Sequence, residues 1–362
     1  MRAVRALTTA LSVPFWPFEV FSAKKSFAGA GALGRPGLNR RGLHAWRTKL
    51  ASDLAWRRRR HLAGKLDPAD RAAFDAQGYL EKRDFLRAGE FRALLAEVMA
   101  LEADALEQRE GNAVTRHIPV TPAVRARAPA LDRLVRSPAF QGPIRYAGSF
   151  DMAPAVFVQT VFAGVDGGGR DPQTDLHIDT FHPTVKAWLF LEDVAAEDGP
   201  FRYVAGSHLL NPRRLAWHKR RSIRATRPGG PKGGAFRVRA DELHRLGYGA
   251  PTSFAVPANT LVVGDTFGIH GRSPSRRASK RIEIFAYSRP NPFLPWARHP
   301  FWSLRWAGDR QAAWHAAALR LARRLGLQAS GWRPVGTVDP IAPPRVEAAA
   351  SRTGPRAAQA AR

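Results

Sequence analysis

Cysteine is absent from the 362 residues of this chain. The protein therefore has no disulfide bonds, and no thiolate is available to bind a metal ion. Any bound metal would have to be held by histidine, aspartate or glutamate. The absence of cysteine does not by itself identify the compartment in which the protein works.

Acidic residues are scarce: 30 Asp and Glu stand against 57 Lys and Arg, which gives a formal net charge of +27. A surface with this balance attracts anionic partners. Those partners could be phosphorylated small molecules, anionic lipid or nucleic acid, and composition does not choose among them.

Long apolar runs are also missing near the start of the chain, where Pro14, Pro17 and Glu19 interrupt the apolar residues. The run is too short and broken to cross a bilayer, which needs about 20 apolar residues. No small-residue cleavage pattern follows it, so we expect no signal peptide. The expected localisation is cytoplasmic.

Residues 1–65 carry fourteen basic and two acidic side chains, a net charge of 14 − 2 = +12. We expect a basic amino-terminal arm that is disordered or packed on the core. Alternatively, it binds an anionic membrane surface peripherally through the aromatic residues Phe15, Trp16, Phe18 and Phe21. The arginine run 57–60 is interpreted as solvated charge, and no specific nucleic acid is expected.

The sequence from Leu176 to Asp179 suggests a metal site. If this run is extended, His177 and Asp179 project from the same face. A third ligand is available in His270, at the end of a segment rich in β-formers. Two histidines and one carboxylate leave metal positions open, an arrangement that suits non-haem Fe(II) oxygenases.

Arg281 lies eleven residues after His270, in a run that alternates like a strand. The residues between them are typical of a turn. We therefore expect two antiparallel strands that place Arg281 beside His270. Its guanidinium could bind a carboxylate with two charge-assisted hydrogen bonds, as the far carboxylate of a metal-chelating 2-oxo acid requires.

These motifs resemble those of the phytanoyl-CoA dioxygenase-like branch of the Fe(II)/2-oxoglutarate-dependent oxygenases. The resemblance is carried by His177-x-Asp179, by the pair His270 and Arg281, by the stretch 198–208 that ends in Gly-Ser-His, and by the stretch 74–80. It extends from about residue 66 to about residue 290.

The resemblance implies a mainly β fold with flanking helices, a double-stranded β-helix or jelly-roll barrel. It implies a hydroxylase that uses Fe(II), 2-oxoglutarate as cosubstrate and O2. The implied metal ligands and catalytic residues are His177, Asp179 and His270, and the implied cosubstrate-binding residues are Arg281 and Gln159. Gln159 could instead satisfy a backbone group of its strand. One residue departs from the family pattern, because Arg272 stands where a small hydroxyl residue is common.

The expected organisation is a jelly-roll domain over 66–330, a basic insertion at about 209–250, and a disordered tail over 331–362. The insertion is rich in arginine, and the glycines between 229 and 234 favour a mobile loop. Such a loop could close on an anionic small-molecule or lipid substrate, although it could equally be solvated surface. The competing hypothesis is a non-catalytic basic jelly-roll protein that binds anionic lipid or nucleic acid.

Overall fold

The computed structural model describes residues 16–29, 31–165, 168–326 and 331–345, and within them the strands form two antiparallel sheets. The strands are β1 Tyr79–Lys82, β2 Ala103–Glu110, β3 Ala113–Pro119, β4 Ala155–Ala163, β5 Val185–Phe190, β6 Phe201–Tyr203, β7 Thr252–Ser253, β8 Thr260–Asp265, β9 His270–Arg272, β10 Ser279–Ser288 and β11 Arg333–Val338. The larger sheet has the order β1-β8-β5-β10-β4-β3-β2-β11, and the smaller has the order β7-β6-β9.

Helices pack against the larger sheet and against one another. They are α1 Trp16–Val20, α2 Pro36–Arg41, α3 Leu43–His61, α4 Pro68–Gln77, α5 Ala88–Met99, α6 Pro122–Arg127, α7 Pro129–Arg136, α8 Pro138–Gly148, α9 Pro212–Thr226, α10 Ala240–Leu246, α11 Arg305–Gly308 and α12 Gln311–Arg324. The ends of α4 follow from its sequence: the Asp67 carboxylate accepts the Ala69 amide hydrogen at 2.9 Å, and Gly78 ends the helix with a φ of 86°.

Side chains alternate across the larger sheet, as a strand period of two requires. On β10, Ile282 and Ile284 belong to the core shared with the helices, whereas Arg281 and Glu283 line the cavity on the opposite face. The smaller sheet covers that cavity, and the ring of Trp188 on β5 lies 4.4 Å from the ring of Phe201 on β6. The predicted fold, a jelly roll with flanking helices, is confirmed.

The arginine run 57–60 is only partly solvated, which corrects its interpretation as a solvated charge run. Arg58 and Arg59 of the run 57–60 are buried on α3, while their neighbour Arg60 is exposed. Arg58 donates to the carbonyl of Pro292 at 3.0 Å. Arg59 forms a fully buried salt bridge of 2.7 Å with Asp265 on β8. The helix thus turns two consecutive arginines of the run inward, where carbonyls and one carboxylate of distant segments accept their hydrogen bonds.

The carboxy-terminal region also differs from expectation, because residues 333–338 form β11 instead of part of a disordered tail. This strand pairs with β2. The chain that follows it is held by Arg116, which donates to the carbonyls of Asp339 and Ala342 at 2.7 Å each. Residues 346–362 lie outside the described part of the chain.

The basic insertion is helical where a mobile loop was expected. The side chain of Asn211 accepts the Arg214 amide hydrogen at 2.8 Å, and Pro212 occupies the first turn of α9. Trp217 and Ala225 are buried on this helix, which packs against α3. The four glycines that indicated mobility all follow α9 in the sequence.

Among the described residues, none of the helices combines the length and the apolar character needed to cross a membrane. The longest of them, α3, is interrupted by charged residues throughout.

The buried Arg59–Asp265 salt bridge gives a stability prediction. Replacing Arg59 with Met leaves Asp265 buried without its cation, and we expect the free energy of unfolding to fall by about 3–5 kcal/mol. Arg60→Met, the neighbouring exposed position, should change it by less than about 0.5 kcal/mol. Urea unfolding of both variants measures this, and equal stabilities would contradict the structural role of Arg59.

Candidate metal and cosubstrate site

The segment that carries His177 and Asp179 is held by single bridges and is not a regular strand, which corrects the prediction of an extended strand. His177 donates its amide to the His270 carbonyl at 2.8 Å, and His270 returns the contact at 2.9 Å. The amide of Asp179 donates to the Thr266 carbonyl at 3.2 Å. These bonds bring the three side chains together although they come from separate parts of the chain.

The three side chains offer one ligand atom each within 4.8 Å of one another. Nε2 of His177 and Nε2 of His270 each lie 3.7 Å from Oδ1 of Asp179. Each imidazole uses Nδ1 to donate to a backbone carbonyl: His177 to Asp175 at 2.7 Å, and His270 to Gly268 at 2.9 Å. This tautomer directs the lone pair of Nε2 toward the other ligands. Nε2 of His270 is buried and has no hydrogen-bond partner among the described residues, so the residues fit a metal ion.

The electrostatics of the site favour the ligand form of both residue types. Burial lowers the pKa of the His177 imidazole to about 3, so the ring is neutral at physiological pH. Burial alone would raise the pKa of the Asp179 carboxyl, but Lys186, His270 and Arg289 hold it well below its ordinary value. Asp179 is therefore an anion and His177 a neutral donor before any metal binds.

Asp175 supports the site through its backbone only. Its carbonyl fixes the ring of His177, while its carboxylate points to solvent and pairs with Arg170 at 2.7 Å. The carbonyl of Asp175, and not its carboxylate, therefore orients the His177 ring.

Arg281 faces the same cavity as His270 but is not its strand neighbour. The expected hairpin does not form, because β9 belongs to the smaller sheet and β10 to the larger one. Burial lowers the pKa of the Arg281 guanidinium to about 10, which leaves it charged. One of its nitrogens donates to the Gly199 carbonyl, and its buried Nε has no hydrogen-bond partner among the described residues. A guanidinium with a free donor can bind a carboxylate in the cavity.

Gln159 also lies in the cavity wall, and both ends of its amide bind side chains, not a backbone group. Its oxygen lies 2.6 Å from Nε2 of His117, and its nitrogen donates to Glu283. Burial raises the pKa of the Glu283 carboxyl, whose Oε2 is 3.7 Å from Nε of Arg281.

Side-chain contacts link His117, Gln159, Glu283 and Arg281 in that order. The sequence predicted only Gln159 and Arg281 of these four residues. Glu283 could have been found, since it stands two residues after Arg281 on one strand and so shares its face. His117 comes from β3 and pairs with Gln159 only through the register of the sheet. No short-range signal identifies it.

Arg272, the departure from the family pattern, lines the cavity and pairs with Asp171 at 2.9 Å. Its charge is therefore already compensated within the chain. Arg281 remains the better placed cation for a cosubstrate carboxylate.

The cavity has a volume of about 730 Å³. Aromatic side chains form part of its lining, including Trp188, Phe201, Phe285 and Trp332. Of the described residues that line it, none comes from the basic insertion 209–250. The hypothesis that this insertion closes over the substrate as a mobile loop is therefore not supported by its placement. His182 and His208 are also buried, but neither lines the cavity.

Residues 74–241 match the family model described as phytanoyl-CoA dioxygenase. The match includes Gln159, His177 and Asp179 and ends before His270 and Arg281. The family model therefore does not cover His270 and Arg281, whose place in the site rests on their spacing in the sequence and on the geometry of the cavity.

Several solved structures are similar to the chain. One is the epimerase SnoN in complex with Fe3+, alpha ketoglutarate and nogalamycin RO, at 19% identity over 61% of this chain and 84% of that chain, with a TM-score of 0.41. Another is HygX from Streptomyces hygroscopicus with nickel, 2-oxoglutarate and hygromycin B bound, at 18% identity over 62% and 88%, with a TM-score of 0.39. The carbocyclase SnoK from nogalamycin biosynthesis shares 23% identity over 61% and 83%, with a TM-score of 0.36. A search of curated protein sequences gives no match. At these TM-scores the solved structures say nothing about the substrate of this chain.

The ligand geometry predicts how two nearby carboxylates differ. Asp179→Ala should weaken Mn(II) binding by more than the roughly 10–100-fold that loss of an outer hydrogen bond costs, because it removes a ligand. Asp175→Ala should leave Mn(II) affinity nearly unchanged, because only its carbonyl supports His177. Equilibrium dialysis with Mn(II) measures both, and a variant at position 179 that binds like the parent would overturn the ligand assignment.

Proposed function

We propose that this chain, whose residues 74–241 match the phytanoyl-CoA dioxygenase family model, belongs to that family and hydroxylates an anionic small molecule. Family membership would make the chain an enzyme that depends on iron and 2-oxoglutarate, and the three candidate ligands fit this dependence. The reaction type, the substrate class and the roles of individual residues are proposed with it.

The observation that carries the proposal is the meeting of His177, Asp179 and His270 beside one cavity whose wall contains Arg281. The three ligands would hold the iron by one side and leave its other positions to cosubstrate and O2. When bound, the iron would supply oxidation of the substrate coupled to decarboxylation of 2-oxoglutarate.

The remaining residues bind and orient. Arg281 would hold the far carboxylate of 2-oxoglutarate through its planar fork of donors. Gln159 would donate to the same carboxylate from the neighbouring strand. Its amide nitrogen has two hydrogens, and one of them would leave Glu283 or be shared with it. The aromatic walls formed by Trp188, Phe201 and Phe285 would exclude water from the reacting atoms.

The charge of the cavity supports an anionic substrate. Its lining includes five basic and two acidic side chains, a difference of 5 − 2 = +3. The basic ones are Lys25, Lys186, Arg272, Arg281 and Arg289, and the acidic ones are Glu110 and Glu283. A positive cavity with partly apolar walls concentrates anionic substrates.

A lipid-linked substrate and peripheral membrane contact stay predictions. Phe18 is 77% exposed and Phe21 is 47% exposed on the amino-terminal segment, as an interfacial anchor requires. Phe15 lies outside the described residues.

The function is tested by adding Fe(II) and 2-oxoglutarate to the purified protein without oxygen, and then admitting air. We expect a visible absorption band that needs both additions, followed by succinate formation. Asp179→Ala should show neither. If the parent protein also shows neither, the non-catalytic binding protein becomes the better description.

The reaction type is tested separately with the active parent protein. Its incubation with fractionated anionic metabolites should yield a product heavier by one oxygen atom. A product of unchanged mass or a loss of hydrogen would contradict hydroxylation.

Cosubstrate binding gives a separate prediction for Arg281. Arg281→Lys should raise the 2-oxoglutarate concentration needed for half-maximal succinate formation by about tenfold or more, since a charged hydrogen bond is worth roughly 1.5–3 kcal/mol. Arg276→Lys, an exposed position on the loop before β10, is the control and should behave like the parent. If Arg281→Lys is silent and Arg272→Lys is impaired, then Arg272 binds the cosubstrate.

A further inference from the structure

Three basic side chains from three separate segments converge on Asp179. Nζ of Lys186, on β5, lies 2.8 Å from Oδ2 of Asp179. Nη2 of Arg289, just after β10, lies 3.5 Å from the same oxygen. Nζ of Lys25, from the amino-terminal segment, donates to the Asp179 carbonyl at 2.7 Å. All three side chains also line the cavity.

One carboxylate does not neutralise three cations. Counting Asp179 with its three neighbours leaves 3 − 1 = +2 at this wall. The other basic side chains of the cavity have acids of their own, Arg272 with Asp171 and Arg281 beside Glu283. A divalent metal and the doubly negative cosubstrate would cancel each other, so they leave this surplus in place. Like charges held together in a partly buried site are unfavourable unless an anion joins them.

The cluster is separate from the position proposed for the cosubstrate carboxylate. Lys186 pairs in register with Tyr287 on β10, and Tyr287 lies six residues after Arg281. At a strand rise of about 3.3 Å per residue, the two basic positions are about 20 Å apart along the sheet. Asp179 contacts the Lys186 end of this span, so the two anions would bind at different ends of the cavity.

We propose that Lys25, Lys186 and Arg289 form the subsite for the anionic group of the substrate, a soluble phosphate monoester or a group of equivalent charge. This inference rests on the proposed function, and it names the substrate class of the same cavity. Ammonium and guanidinium donors from three directions suit the oxygens of a phosphate. The anion would be bound beside Asp179, which leaves the rest of the substrate to extend over the metal.

The amino-terminal segment completes this subsite. Lys25 is held in place because the amide of Phe27 donates to the Lys232 carbonyl at 2.8 Å. Buried Arg47 donates to the carbonyls of Val20 and Ser22 at 2.7 and 2.8 Å. A segment that lies before the family match thus contributes a residue to the cavity.

The test uses inorganic phosphate as the probe and the full-length protein loaded with Mn(II) and saturating 2-oxoglutarate, so that the Arg281 side is filled. Calorimetry should show phosphate binding to the parent, weakened about tenfold or more by Lys25→Met. Lys24→Met is the matched control, because Lys24 pairs with Glu19 and does not line the cavity. Its affinity should equal that of the parent, and Lys25→Arg should restore most of the binding.

A second pair of variants separates loss of binding from loss of folding. Arg289→Gln should weaken phosphate binding and Arg276→Gln should not, while Mn(II) and 2-oxoglutarate still bind to both. If the parent protein binds metal and cosubstrate but no phosphate, the anion subsite is overturned and the proposed function stands. Equal affinities of Lys25→Met and Lys24→Met overturn it too. Failure of the parent to bind Mn(II) and 2-oxoglutarate would instead contradict the proposed function.

The phosphate of a lipid headgroup is distinguished by sedimentation with vesicles of phosphatidic acid. A soluble substrate predicts equal pelleting of Lys25→Met and Lys24→Met. If the two differ on vesicles but not with inorganic phosphate, the soluble subsite is contradicted.

Discussion

The paired backbone hydrogen bonds between His177 and His270 are the constraint on which the rest of the site depends. Each residue donates to the other's carbonyl, at 2.8 and 2.9 Å, so the two ligand-bearing segments are fixed in register without a continuous strand between them. The imidazole rings then lie 4.6 Å apart at their centres. Because the two backbones are joined, only the side-chain torsions of the two histidines remain free. Hydrogen bonds from the imidazoles to the Asp175 and Gly268 carbonyls fix these torsions.

The sequence was sufficient to predict the parts of the site that depend on residue type and on a period of two. The absence of cysteine limited the candidate ligands to His, Asp and Glu, and the spacing of His177 and Asp179 predicted two side chains that the structure brings together with His270. Strand alternation placed Arg281 on a face that proves to line the cavity. The predicted pairing of Arg281 with His270 was wrong, because residues of two sheets can face each other across a barrel without being strand neighbours. Only the packing of the two sheets against each other shows this.

Contacts between distant segments account for most of what the sequence did not reveal. Composition treats every arginine of the run 57–60 alike, yet Arg59 meets Asp265 across 206 residues of chain. Lys25 meets Asp179 across 154. A charged residue is buried where a partner compensates its charge. A local sequence pattern does not predict a partner that is so distant in the chain. The glycines between 229 and 234 led to a wrong prediction for a different reason. They do lie in a loop, but this loop follows α9, and the rest of the insertion before it is helical.

The buried salt bridge between Arg59 on α3 and Asp265 on β8 has a consequence for the sequences of related proteins. The family match begins at residue 74, yet Arg59 and Lys25 precede it and reach the barrel wall and the mouth of the site. A relative that lacks this extension would need an uncharged residue at the position of Asp265, since an unpaired buried carboxylate is costly. The identity of the residue at that one position on β8 should therefore report, from sequence alone, whether a homologue carries the amino-terminal extension as part of its core.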